Sequence, residues 1–86
     1  MQTKDRLASV LSKGYFAHGI RAAHAEFIQH VKDDPDFLKT AQAEYNRLDN
    51  LNRTLGCQLS QRCYASAQHL KFLKSALENH AAQIWQ

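Results

Sequence analysis

The sequence predicts an all-α protein of three or four helices. After Pro35 there is no further proline, and after Gly56 no further glycine. Through that stretch leucines recur at helical spacing, as Leu48, Leu51 and Leu55 and then Leu70, Leu73 and Leu77, followed by Ile84. Long breaker-free segments with one apolar seam are the pattern of amphipathic helices. The chain has 86 residues, 44% of them hydrophobic, which is one small domain spanning residues 1–86 with a modest core.

Helix one is expected over about 4–13. Thr3 is its N-cap, Asp5 places a negative charge in the first turn, and Lys13-Gly14 forms a C-terminal pair. Leu7, Val10 and Leu11 share one face. Helix two is expected over about 16–32, with Ile20, Ala23, His24, Phe27, Ile28 and Val31 as its stripe. Gly19 weakens its beginning and can move the start to His18 or beyond.

Asp33-Asp34-Pro35 is the clearest boundary in the chain. Asp34 fits an N-cap and Pro35 a first helical position, where its missing N–H costs nothing. Helix three then runs over about 35–55, with Leu38, Ala41, Tyr45, Leu48, Leu51 and Leu55 inward. Gly56 has two readings. It caps helix three before a fourth helix over about 58–84, or the helix continues through it. Asn46, Asn50, Asn52 and Thr54 weaken the helix just before it. The first reading makes a long C-terminal helical hairpin. The second makes a rod of roughly 75 Å at 1.5 Å per residue, which needs a partner helix.

Eleven Lys and Arg oppose eight Asp and Glu, for a net charge of +3. That is mildly basic and short of the dense excess of a dedicated nucleic-acid binder. The charges fall in a basic, acidic, basic order along the chain, as expected if segments pack on one another or on a second copy, and also if they are simply solvated faces. The N-terminus lacks the apolar run of a signal peptide, and no stretch approaches the ~20 apolar residues of a membrane span. Cys57 and Cys63 lie six apart and cannot bridge on one helix. They read as reduced thiols of a cytoplasmic protein, with a disulfide across a dimer axis as the other possibility.

The side chains that carry chemistry are not arranged for it. His18, His24, His30, His69 and His80 lack the i,i+3 or i,i+4 histidine pairing of helical metal sites, so no metal or cofactor is expected. No phosphate loop, nucleophile elbow or framed carboxylate pair is present, so no enzyme is expected. The segment Thr54–Arg62 looks like a helix-turn-helix corner. However, Asn52 stands where a small residue is required, and the following helix is too long for a recognition helix. Direct nucleic-acid binding is therefore the weaker reading.

The apolar C-terminal seam is the expected contact surface. Phe72, Leu73, Leu77, Ile84 and Trp85 would supply apolar anchors, and Lys71 and Lys74 the charged rim, in helix-in-groove recognition. Trp85 fits a dimer contact or partner groove equally well as packing on the first two helices. His80 would be a polar residue in the seam that fixes register. A long seam on a short chain predicts a homo-oligomeric helical bundle.

Size, the all-helical pattern and the lack of a catalytic motif resemble small phage- or prophage-encoded regulators, most closely the short antirepressors of lambdoid prophages in enteric bacteria. The resemblance covers the whole chain in length and pattern and transfers no individual residue. It implies a non-catalytic protein that binds a DNA-binding phage repressor and disrupts its assembly or its hold on DNA. The alternatives are a small DNA-binding transcription regulator and a helical inhibitor of a host factor.

Overall fold

The structure is a computed structural model that describes residues 2–84, with side chains placed through residue 82. All regular structure among the described residues is helical. The elements are α1 (Thr3–Gly14), a 3₁₀ turn (Ala17–Gly19), α2 (Ile20–Asp33), α3 (Phe37–Thr54), α4 (Leu59–Arg62) and α5 (Tyr64–Ile84).

In α1, Asp5 lies in the first turn and Lys13 in the last, complementing the helix dipole. The N-cap is Gln2 rather than Thr3. Thr3 is already helical, and its hydroxyl donates instead to Asp34 Oδ2 at 2.7 Å. Gly14 does not terminate the helix through positive φ, because Tyr15 beyond it is still right-handed. Its glycine is needed for a close approach. A Cβ there would lie 2.8 Å from the Phe72 ring, inside any normal carbon–carbon contact.

The boundary at 34–36 holds, but its capping differs from the expectation. Asp34 is extended (φ −130°, ψ 110°) and Asp36 is the N-cap. Asp34 Oδ1 accepts from the Asp36 N–H at 3.0 Å, and its carbonyl accepts from the Phe37 N–H at 3.1 Å. Two forces keep Asp34 out of the helix: the proline after it disfavours α geometry, and its other carboxylate oxygen is held by Thr3. The third helix consequently starts at Phe37, two residues late. Its buried line is Phe37, Ala41 and Leu48, flanked by Leu38 and Tyr45. Leu51, expected inward, is 37% exposed.

Gly56 does break the helix. The Gly56 N–H donates to the Arg53 carbonyl and the Cys57 N–H to the Asn52 carbonyl, with Gly56 at φ +63°. This is a Schellman closure, whose left-handed position favours glycine. Asn52 then accepts the Leu59 N–H on its side-chain oxygen at 3.2 Å, which starts α4. The expected fourth helix over 58–84 is interrupted once more. Cys63 is extended (φ −149°), and α5 begins at Tyr64.

Side-chain pairings fix the directions. Thr3 meets Asp34 while Lys13 meets Glu26, so α1 and α2 are antiparallel. Tyr45 lies by Leu77 and Asn52 by Leu70, so α3 and α5 are antiparallel. The core draws on all four long helices: Leu7, Val10 and Leu11; Ala23 and Phe27; Phe37, Ala41 and Leu48; Phe72, Leu73 and Ala76. Phe27 sits at its centre, edge-on to Phe37 at 5.2 Å and to Phe72 at 6.4 Å between ring centroids. The extents of 35 × 26 × 25 Å exclude the rod that an unbroken helix would have formed.

The approach at Gly14 yields a prediction of sign. Gly14→Ala should gain helix propensity yet lose about 1–2 kcal/mol in urea unfolding, because the added methyl overpacks against Phe72. In a Phe72→Leu background the same change should be neutral or stabilising. Equal effects in both backgrounds would disprove the ring contact as the cause.

Candidate functional site

The residues expected to form the contact surface are dispersed. Phe72 and Leu73 are 5% and 0% exposed, so they are core residues and unavailable as surface anchors. Leu77 is half-buried and packs on the same core. Trp85 and the Ile84 side chain lie outside the described residues. Lys71 and Lys74 are exposed. Both border a hollow beside Asn52, Cys57 and Ser60, and beyond it Lys71 also reaches a cleft facing α2 and Lys74 the surface by Tyr45 of α3. The correction has a simple cause. α5 packs against α1 and α2 on one side and α3 on the other, so Phe72, which stands off the leucine line, is covered as completely as Leu73.

One of the open hollows is a groove between α2 and α5. Ile20 and His24 stand opposite Gln68, Lys71 and Ser75, and further along Phe27 and Ile28 stand opposite Ala76, His80 and Ala82. Numbering rises together on both walls, so these helices run parallel. The first part of the groove is a cleft of about 150 Å³ floored by Gly14 and Phe72. The second, of about 270 Å³, shares His24 with it. Phe16, Ile20 and His24 recur every four residues. Tyr64, Gln68, Lys71 and Ser75 recur at four, three and four. Each wall is therefore one helical stripe.

The groove opens at an aromatic end. Tyr15 is edge-on to Phe16 at 4.9 Å and to Tyr64 at 6.0 Å, and lies 6.5 Å from the His69 ring. Phe16 stacks on His18 at 5.6 Å. Phe16, Tyr64 and Ile20 are 52%, 58% and 41% exposed. Single exposed apolar residues are ordinary, but a contiguous group marks a contact surface.

The electrostatics are one-sided. Residues 6–25 and 50–77, which supply the start of both walls, contain no Asp or Glu. They carry Arg6, Lys13, Arg21, Arg53, Arg62, Lys71 and Lys74, of which Arg6, Lys13 and Arg53 pair with Asp34, Glu26 and Asp49. Burial pushes the His24 imidazole below its usual value, which favours its neutral form. Burial also lowers His69, against an opposing pull from Glu44, and Glu44 is itself bound by Arg47. The walls of the first cleft bring neither a carboxylate nor a thiol to His24. Among the described residues no group of three or more His, Cys, Asp or Glu is placed to hold a metal ion.

A polar network lies along the α1–α2 contact. Glu26 accepts from Ser9 at 3.1 Å and from Lys13, and pairs with His30 at 3.0 Å. His30 Nδ1 lies 3.1 Å from Arg6 Nη1. Separately, Cys63 begins α5. Its sulfur lies 3.1 Å from Ser66 Oγ, and the Ser66 hydroxyl and the Ser66 and Ala65 N–H groups lower the thiol from its ordinary value.

Compared with family models, with curated proteins and with solved structures, the chain matches none. The groove residues missed in the sequence are Tyr15, Phe16, Ile20 and Tyr64. Their signal was present as the two stripes and the two acid-free segments, but nothing in either stripe shows that the other faces it.

Two measurements follow from these groups. Partial burial raises the Glu26 carboxyl, and the hydrogen bonds from Lys13, His30 and Ser9 together outweigh it, leaving it lowered from 4.5. A carboxyl lowered in the folded state contributes stability above its unfolded value and loses it as pH falls through the folded value. Glu26→Gln should therefore cost about 1–2 kcal/mol at pH 7, and its stability should fall less steeply than wild type below pH 4.5. Parallel slopes would contradict this. In a Cys57→Ser variant, Cys63 should react with iodoacetamide at pH 7.5 faster than the unfolded chain does, and Ser66→Ala should slow it.

Proposed function

We propose that this chain is a non-catalytic regulator that binds another protein through the α2–α5 groove. The observation that carries the reading is the exposure of three large apolar side chains, Phe16 and Tyr64 joined through Tyr15 and Ile20 lining the groove itself. Mixed apolar and aromatic linings of this kind accept an amphipathic helix, and buried aromatic contacts dominate such interfaces. This chain thus supplies the groove, whereas the sequence had suggested that it supplied the inserted helix.

The resemblance to short antirepressors gives the proposal its specific form: the partner is a DNA-binding repressor, and occupation of the groove removes it from its operators or blocks its assembly. Direct nucleic-acid binding draws on the same aromatic and basic residues. It is less well supported, because a net charge of +3 is small beside the 6–10 phosphate contacts typical of tight binders.

The homo-oligomer expected from the leucine seam loses that support, since Leu70, Leu73 and Leu77 pack on the core within one chain. Sedimentation velocity now bears on the groove itself. A monomer leaves it free for a different protein, and a dimer dissolved by Ile20→Glu makes a second copy the occupant.

The deciding experiment is affinity co-purification of the tagged full chain from its native host, with nuclease, beside an Ile20→Glu variant of unchanged circular dichroism. Nuclease-resistant recovery of a transcription regulator, lost by roughly 30-fold or more in the variant as for a hot-spot change of ~2 kcal/mol, is the expected result. Recovery abolished by nuclease, or unaffected by Ile20→Glu, overturns the reading.

A further inference from the structure

We infer that the cleft between α2 and α5 is an anchor pocket for one aromatic side chain presented beside a carboxylate, so that the partner segment is acidic around a ring anchor. This rests on the protein-binding reading of the groove and names the chemistry of what fills it.

Size is the first argument. The cleft holds about 150 Å³, roughly half the ~300 Å³ at which small-molecule sites begin. It is the size at which an apolar cavity of ~150 Å³ takes up one benzene ring. A single side chain fills this part of the groove.

Shape is the second. The Phe72 ring forms the floor, and the His24 ring leans on it at 4.8 Å and 44°. Gly14, lacking a side chain, leaves the Phe72 ring as the surface at the inner end, and Ile20 closes the outer side. Flat walls on two sides favour a flat occupant, with edge or offset contacts available to each ring.

Charge is the third. Lys71 is the charged residue among the cleft's lining, and Gln68 and Ser75 add hydrogen-bonding groups beside it. The half-buried His24 ring, tilted on Phe72, offers a face to a second ring, and its partial burial favours the uncharged form. No Asp or Glu lines the cleft, so a carboxylate at the rim meets attraction from Lys71, the one charged group of the lining. An ammonium group there meets the reverse. Charge at a rim mainly sets partner choice, so the pocket discriminates by sign while the ring supplies the affinity.

Two probes with the same ring and opposite charge test this on the full chain. Phenylacetate and phenethylamine are titrated separately into isotope-labelled protein, and amide and imidazole shifts are followed by NMR. The expected result is saturable shifts confined to Ile20, His24, Lys71 and Ser75 with phenylacetate, and binding weaker by about two- to fivefold for phenethylamine, the scale of exposed charge pairs. Lys71→Gln should bring the two together. Ser75→Leu, which fills the cleft from an accessible position on α5, should abolish both. Equal binding of the two probes to wild type, or no localised shift with phenylacetate, overturns the inference. Neither probe involves the natural partner. A negative result here with a positive co-purification removes the anchor pocket alone, and the converse removes the partner reading alone.

Discussion

The approach of α1 to α5 at Gly14 is the contact on which the remaining arrangement depends. With no side chain at position 14, the Phe72 ring lies directly against the α1 backbone. The same ring reaches Phe27 on α2, which reaches Phe37 on α3. One chain of aromatic contacts therefore links all four long helices. A larger residue at 14 would push α5 outward and draw Phe72 away from Phe27, and the central packing would loosen because interiors have no spare volume to absorb the shift.

That packing also creates the groove. Short connections force neighbours in sequence to run antiparallel, as α1–α2 do, and α3–α5 follow the same rule through the small α4 turn. α2 and α5 consequently point the same way. They meet over Phe72 and Ala76 at their bases and leave their outer stripes apart. The aromatic residues between α1 and α2 (Tyr15 and Phe16) fall at the open end because the 3₁₀ turn there is too short to fold back over them. Tyr64 joins them because Cys63 is extended and re-aims the first turn of α5.

The α1–α2 network does a different job. Thr3 with Asp34, Arg6 with His30, and Ser9 and Lys13 with Glu26 form successive rungs along an antiparallel pair. A one-turn slip would break all of them together, so they set register more than they add stability, since such partly exposed pairs are individually weak. One rung is imperfect. Arg6 Nε is buried without a hydrogen-bond acceptor, with Asp34 Oδ2 3.8 Å away. Its cost is borne by the neighbouring bonds of the same guanidinium and carboxylate.

The sequence alone determined that the chain is helical and where most helices stop. Breaker residues and apolar spacing are local signals, and Gly56 and Pro35 act through their own backbones wherever the chain goes. It also placed Phe27, the centre of the core, on the apolar stripe of the second helix. It did not determine which face of α5 is covered, because a helix flanked on two sides buries residues that a single seam would leave outside, and Phe72 is the result. Nor could it show that the stripe through Ile20 and His24 faces the stripe through Tyr64 and Lys71. Those stripes are forty residues apart in sequence, and each reads as an ordinary half-polar helix surface. Only the parallel placement of α2 and α5, set by packing around Gly14 and Phe72, brings them together. The surface available for function is thus a product of tertiary contacts, while the elements that carry it are local.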